Sequence, residues 1–176
     1  MVDPVPILVV RTALAMLLAV SVLQKLRYPA VFIAAVREYQ LLPARLALPA
    51  AAVLIALELV LVVGALAGSS VAVSGIVALL CLYSAAIAIN LWRGRTDIDC
   101  GCGGASEGRP LSVWLLVRNA ALAALGIVAL LPAIPRSLGL VDGLSIVAAV
   151  IVVSSLYAAI DNLARTAPRL RALHRG

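Results

Sequence analysis

Leu46-Ala-Leu-Pro-Ala-Ala-Ala-Val-Leu-Ile-Ala-Leu-Glu58-Leu-Val-Leu-Val-Val-Gly-Ala-Leu-Ala-Gly68 is the stretch that decides the fold. Glu58 is its single charged residue, set among Leu, Val, Ile, Ala, Pro and Gly. An apolar run of about 10–14 residues fits a helix buried in a soluble core, whereas a bilayer needs about 20. This run reaches spanning length. Within lipid no water satisfies backbone N–H and C=O groups, so an isolated span must be a helix.

Four more runs of spanning length flank it, over residues 6–26, 71–92, 111–134 and 144–162. The 176 residues are 64% hydrophobic and 12% charged. A soluble domain is nearer 45–50% apolar and about 25% charged. That excess exceeds what one buried core can absorb, so the solvent is lipid. The expected fold class is an all-α polytopic transmembrane helix bundle of about five spans. It forms one membrane domain over 1–164, followed by a basic tail over 165–176. The first run follows Met1-Val-Asp-Pro4, without positive charge, and precedes Lys25 and Arg27. A secretory signal has the reverse order, so this helix is expected to be retained. Between the first two runs, Phe32, Ala35, Val36 and Tyr39 recur at helical spacing, with Arg37, Glu38 and Gln40 on another side. This pattern predicts a short amphipathic helix lying in the interface, ended by Pro43.

The net charge of +6 comes from basic residues in short segments between the runs. Lys25, Arg27, Arg37 and Arg45 follow the first, Arg93, Arg95 and Arg109 the third, and Arg165, Arg169, Arg171 and Arg175 the fifth. The other connections carry Arg136 alone. Basic loops stay in the cytoplasm. The expected location is the plasma (inner) membrane, with the N-terminus outside, the C-terminus cytoplasmic and the third connection cytoplasmic. Trp92 and Trp114 bracket that connection as interfacial residues. Basic and aromatic residues are not interleaved as nucleic-acid binding requires, so the expected partner is the lipid bilayer and not nucleic acid.

Arg11, Glu58, Arg118 and Asn119 interrupt the apolar runs. Polar groups in lipid are costly, face the bundle interior and pair with one another. At about 1.5 Å per residue from the inner helix ends, Glu58 stands roughly 18 Å up, Arg11 roughly 22 Å and Arg118 about 10 Å. These depths predict an Arg11–Glu58 pair, with Arg118 as the competing partner. Cys81, in mid-span, is expected to be a small core residue.

The third connection contains Thr96-Asp-Ile-Asp-Cys100-Gly-Cys102-Gly-Gly-Ala-Ser-Glu-Gly108. Cysteines at i and i+2 can meet disulfide spacing, and Gly101 relieves the bent backbone. Strained, exposed disulfides are labile or catalytic, which points to thiol–disulfide exchange. Two thiolates also suit Zn or Cu(I), but only Asp97, Asp99 and the distant His174 could complete a site. A tight structural turn, in a non-catalytic membrane scaffold or accessory subunit, is the third reading. His174 alone provides no Cys–His or Ser–His arrangement, and Gly101-Cys-Gly-Gly is too short for a dinucleotide fingerprint. No metal or cofactor is called for; a quinone is compatible but not indicated.

Taken in order, several segments carry a resemblance: Lys25-Leu-Arg-Tyr-Pro29, Val36-Arg-Glu-Tyr-Gln-Leu-Leu-Pro43, Leu57-Glu58 with Gly64, Asp99-Cys-Gly-Cys-Gly103 and Arg118-Asn119. Together they resemble the MauE family of methylamine utilisation proteins, a branch of the DoxX-like membrane proteins. The resemblance spans about Arg11 to Leu130. It implies a multi-pass protein that helps to mature methylamine dehydrogenase by forming or transferring disulfides in an exported, cysteine-rich subunit. A thioredoxin-like donor is the other implied partner. On this resemblance Cys100 and Cys102 are the redox pair of a thiol-disulfide oxidoreductase-like protein, and Glu58 and Arg118 are matching polar positions. The implied client is extracytoplasmic, whereas the charge count places the cysteine loop in the cytoplasm.

Overall fold

The computed structural model describes residues 3–98, 111–134 and 136–173. The chain forms α1 (Pro4–Arg27), α2 (Pro29–Glu38), a short 3-10 turn (Ala44–Leu46), α3 (Ala47–Leu66), α4 (Ser70–Trp92), α5 (Val113–Val128) and α6 (Leu140–Leu173). The all-α membrane bundle expected from the sequence is what the chain builds. α1, α4, α6 and α3 with its leading turn are long and apolar enough to cross a bilayer, and α5 is shorter. The helix of α6 continues to Leu173, so the basic tail begins inside a helix.

Local chemistry sets the ends. Asp3 caps α1, its carboxylate accepting from the Val5 N–H at 2.9 Å, with Pro4 in the first turn. A proline disfavours helical geometry at the residue before it, and the chain breaks at Tyr28 ahead of Pro29, which opens α2. In α2, Phe32 and Ala35 are buried while Arg37 and Glu38 are exposed, the amphipathic helix expected. It stops at Glu38, short of Pro43, because Gln40 takes a positive φ of 48°. Between α3 and α4, Gly68 adopts φ +88°, which only glycine takes without strain, and the Ser69 N–H donates back to the Gly64 carbonyl at 2.9 Å. The Ser69 hydroxyl then caps α4 by accepting from the Ala72 N–H.

α1 packs against α3 and α6, α4 packs against α3 and α5, and α1 also touches α5. The main core gathers Ala15, Leu61, Ala65, Ala72, Val73, Ile76, Leu79 and Ala129. Outside these contacts the large apolar side chains of all five long helices are exposed, as suits helices whose outer faces meet lipid tails. The alternation of helices leaves two ends. One carries the start of α1, the α3–α4 turn and the α5–α6 connection. The other carries α2 and the α4–α5 connection that contains the Cys-Gly-Cys segment. At the first end Arg136 bonds both Asp3 and Asp142, with contacts of 2.9–3.3 Å, clasping the start of α1 to the start of α6.

Candidate functional site

Three helices bring one polar side chain each to a common point. α1 places Lys25 on the stripe of Leu14 and Val22, α3 places Glu58 on the stripe of Ala51, Leu61 and Ala65, and α4 places Tyr83 seven residues after Ile76. Lys25 Nζ donates to Glu58 Oε1 at 2.5 Å. The Tyr83 hydroxyl donates to the same oxygen at 2.7 Å, and Lys25 Nζ reaches that hydroxyl at 3.2 Å. The ammonium also lies over two rings, 4.7 Å from the centroid of Phe32 on α2 and 4.9 Å from that of Tyr83. An ammonium over aromatic faces is drawn by their quadrupoles, more strongly when desolvated. Lys25 is 2% exposed and Glu58 0%, so this ion pair is dry. Glu58 Oε2 is buried without a hydrogen-bond partner.

This overturns two expectations. Arg11 does not pair with Glu58; its Nη1 donates to the Gly68 carbonyl at 2.7 Å. There it meets the negative end of the α3 dipole. Lys25 lies in the last turn of α1 and Glu58 in the middle of α3, so the two helices meet offset along their axes, and Lys25 rather than Arg11 lies level with Glu58. Lys25, counted from sequence as a loop cation, belongs to the core. Arg118 is not a partner of Glu58 either, and its Nε and Nη2 donate to Asn119 Oδ1 at 3.3 and 3.1 Å. Asn119 itself is 2% exposed. Cys81 is exposed on α4, not part of the core, because its phase turns it away from the Ile76–Leu79–Tyr83 face.

Sequence reasoning found Glu58 but missed Lys25 and Tyr83. Their helical phase was the available signal: both fall on the buried stripe of their own helix. Asn90, fully buried, was missed as well; it turns its amide back onto the Ala86 carbonyl at 3.0 Å. Of the interfacial tryptophans, Trp92 at the end of α4 is 90% exposed, and Trp114 at the start of α5 is half-buried. Cys100 and Cys102 lie outside the described residues. The base of their connection is built, however. The Leu111 N–H donates to the Thr96 carbonyl at 2.9 Å, and Ile98 and Leu111 are buried with Ile87 and Leu115. Among the described residues no group of three or more His, Cys, Asp or Glu side chains could hold a metal.

Around Glu58 a cavity of about 390 Å³ opens between α1, α3, α4, α5 and α6. Ligand cavities run from about 300 to 1,000 Å³. Asn119 and Ser154 lie on its wall, and the Ser154 hydroxyl is buried without a partner.

Fold and site together define a multi-pass helical membrane protein with a dry charged knot beside a partly open cavity. The model of the family described as methylamine utilisation protein MauE matches residues 4–132. Methylamine utilization protein MauE of Methylorubrum extorquens is 44% identical over 140 residues, covering 77% of this chain and 75% of the relative. Its namesake in Paracoccus denitrificans is 38% identical over 144 residues, covering 78% and 77%. That of Methylophilus methylotrophus is 34% identical over 167 residues, covering 90% and 86%. The chain belongs to the MauE family. No solved structure matches it.

Proposed function

We propose that this protein is a membrane factor of methylamine utilisation that exchanges thiols and disulfides through Cys100 and Cys102, in the maturation of an exported cysteine-rich protein. The observation that carries the reading is the Asp99-Cys-Gly-Cys-Gly103 segment, in a connection whose base is anchored by buried Ile98 and Leu111. The exchange balances simply. A thiolate of the client, or of a thioredoxin-like carrier, attacks the Cys100–Cys102 disulfide, and a second thiol of that same protein resolves the mixed disulfide, leaving that protein oxidised and the pair reduced. The names of the relatives support a role in methylamine metabolism. The test is a titration of the purified protein across dithiothreitol ratios, read by thiol labelling. The reading expects a two-thiol transition that is absent from Cys100→Ser and Cys102→Ser; a flat labelling profile in the wild-type chain sinks it.

A further inference from the structure

The cavity beside Glu58 is polarised along its length, and three helices agree on the direction. Along α1 the lining passes from Leu14, Leu17 and Leu18 to Ser21 and Gln24. Along α4 it passes from Ile76 and Leu80 to Tyr83, and along α5 from Leu122 to Asn119 and Arg118. Given the directions in which these helices run, the polar residues named on these three fall toward the end that carries α2 and the α4–α5 connection, and the aliphatic ones named with them fall toward the middle of the bundle. Leu14 to Gln24 covers about 15 Å at the helical rise.

Among the described residues that line the cavity, two buried polar atoms have no partner, Glu58 Oε2 on α3 and the Ser154 hydroxyl on α6. A buried carboxylate oxygen without a donor is destabilising. The Glu58 charge is already neutralised by Lys25, so the missing partner is a neutral donor rather than a cation. The occupant that fits is an amphiphile with an oxygen-bearing ring at the polar end and an apolar body reaching toward mid-bilayer.

We propose that this cavity is a binding site for a membrane-soluble quinone, its ring among Ser21, Gln24, Asn119 and Ser154 and its tail among Leu14, Leu17 and Leu122. Side-chain amides and hydroxyls can donate to the quinone carbonyls, and Glu58 Oε2 accepts from the hydroxyl of the quinol. The choice of a quinone over another ring-headed amphiphile rests on the thiol reading above. Exchange leaves Cys100 and Cys102 reduced, and the pair must be reoxidised. In that step the two thiols give up two electrons and two protons as the S–S bond forms. The quinone takes both and leaves as quinol.

The test uses the full chain in lipid nanodiscs and a benzoquinone carrying one isoprenoid unit, measured by equilibrium dialysis against empty discs of the same lipid. The expected result is saturable binding at one site per chain, weakened at least tenfold by Leu17→Trp, which fills the apolar end. Binding should be unchanged by Cys100→Ser with Cys102→Ser, which separates the site from the thiol chemistry. An azido derivative of the same quinone should crosslink to α1 or α6 peptides, an arm that stands even if Leu17→Trp fails to fold. Uptake equal to that of empty discs overturns the proposal, as does crosslinking confined to lipid-facing residues. If binding persists but quinone does not restore the disulfide of the reduced wild-type protein, the site stands and the thiol reading falls.

Discussion

Lys25 and Glu58 form an ion pair buried on both sides. Removing one member of a buried ion pair strands the other charge, at a cost of about 3–5 kcal/mol, whereas replacing both with apolar groups is often neutral. Glu58→Gln and Lys25→Met are therefore each expected to lower stability in detergent by roughly that amount, and the double variant to recover most of it. A thermal or denaturant series on the four proteins measures the coupling, and additive losses would show that the two side chains do not act as a pair. Tyr83→Phe removes one neutral donor to a charged acceptor, so a smaller loss of about 1.5–3 kcal/mol is expected. Phe32 ties the same ammonium to α2. Glu58 was legible as a charge too deep to escape the bundle. Lys25 was not, since lysine near the end of an apolar run is more often a headgroup contact, and only its phase with Val22 marks it as internal.

Helices here meet through small residues, because lipid tails solvate Leu as well as another Leu does and close backbone approach must supply the contact energy. A Cβ built on Gly64 would fall 2.8 Å from the Ala72 Cβ across the α3–α4 contact, and a β-carbon fixed to its backbone cannot swing aside. Gly64→Ala is expected to cost about 1–3 kcal/mol as the two helices are pushed apart; an unchanged melting temperature would contradict so close a contact. The clasp at the opposite end to the cysteine loop answers to acid. The Asp3 carboxyl is held below its ordinary value of 3.8, first by the Val5 N–H and then by Arg136. Arg136 is in turn raised, first by its bonds to Asp142 and then by those to Asp3. With a lowered folded pKa, the contribution of Asp3 is complete above the ordinary value and disappears as pH falls through the folded one. The melting temperature should decline below about pH 4, and Asp3→Asn should start lower and decline less. At this scale the sequence was a good guide to how many helices there are and a poor guide to their relative heights. Apolar length marks each span, but the offset that sets Lys25 in the last turn of α1 level with Glu58 in the middle of α3 is a matter of tertiary packing, which no run of residues encodes by itself.

For the whole molecule the open quantity is direction across the membrane. The bundle fixes which ends go together: α2, the α4–α5 connection and the last residues of α4 share one end, opposite the Arg136 clasp. Burial of Lys25 removes one cation from the topology count, yet Arg27, Arg37 and Arg45 stay exposed at that end, with Arg93 beside them. Cytoplasmic retention follows the Lys and Arg near the ends of short loops, so the balance still favours the cytoplasm for the cysteine connection, although the implied client is exported. An impermeant maleimide applied to intact cells decides between the two. With Cys81 replaced by Ala, so that labelling reports only on Cys100 and Cys102, protection in intact cells and reaction in inverted vesicles are expected. Reaction from outside would reverse the orientation of every helix at once, because the five long helices pack against one another as one bundle. It would also place the thiol pair, and the polar end of the Glu58 cavity with it, on the side where an exported client is found.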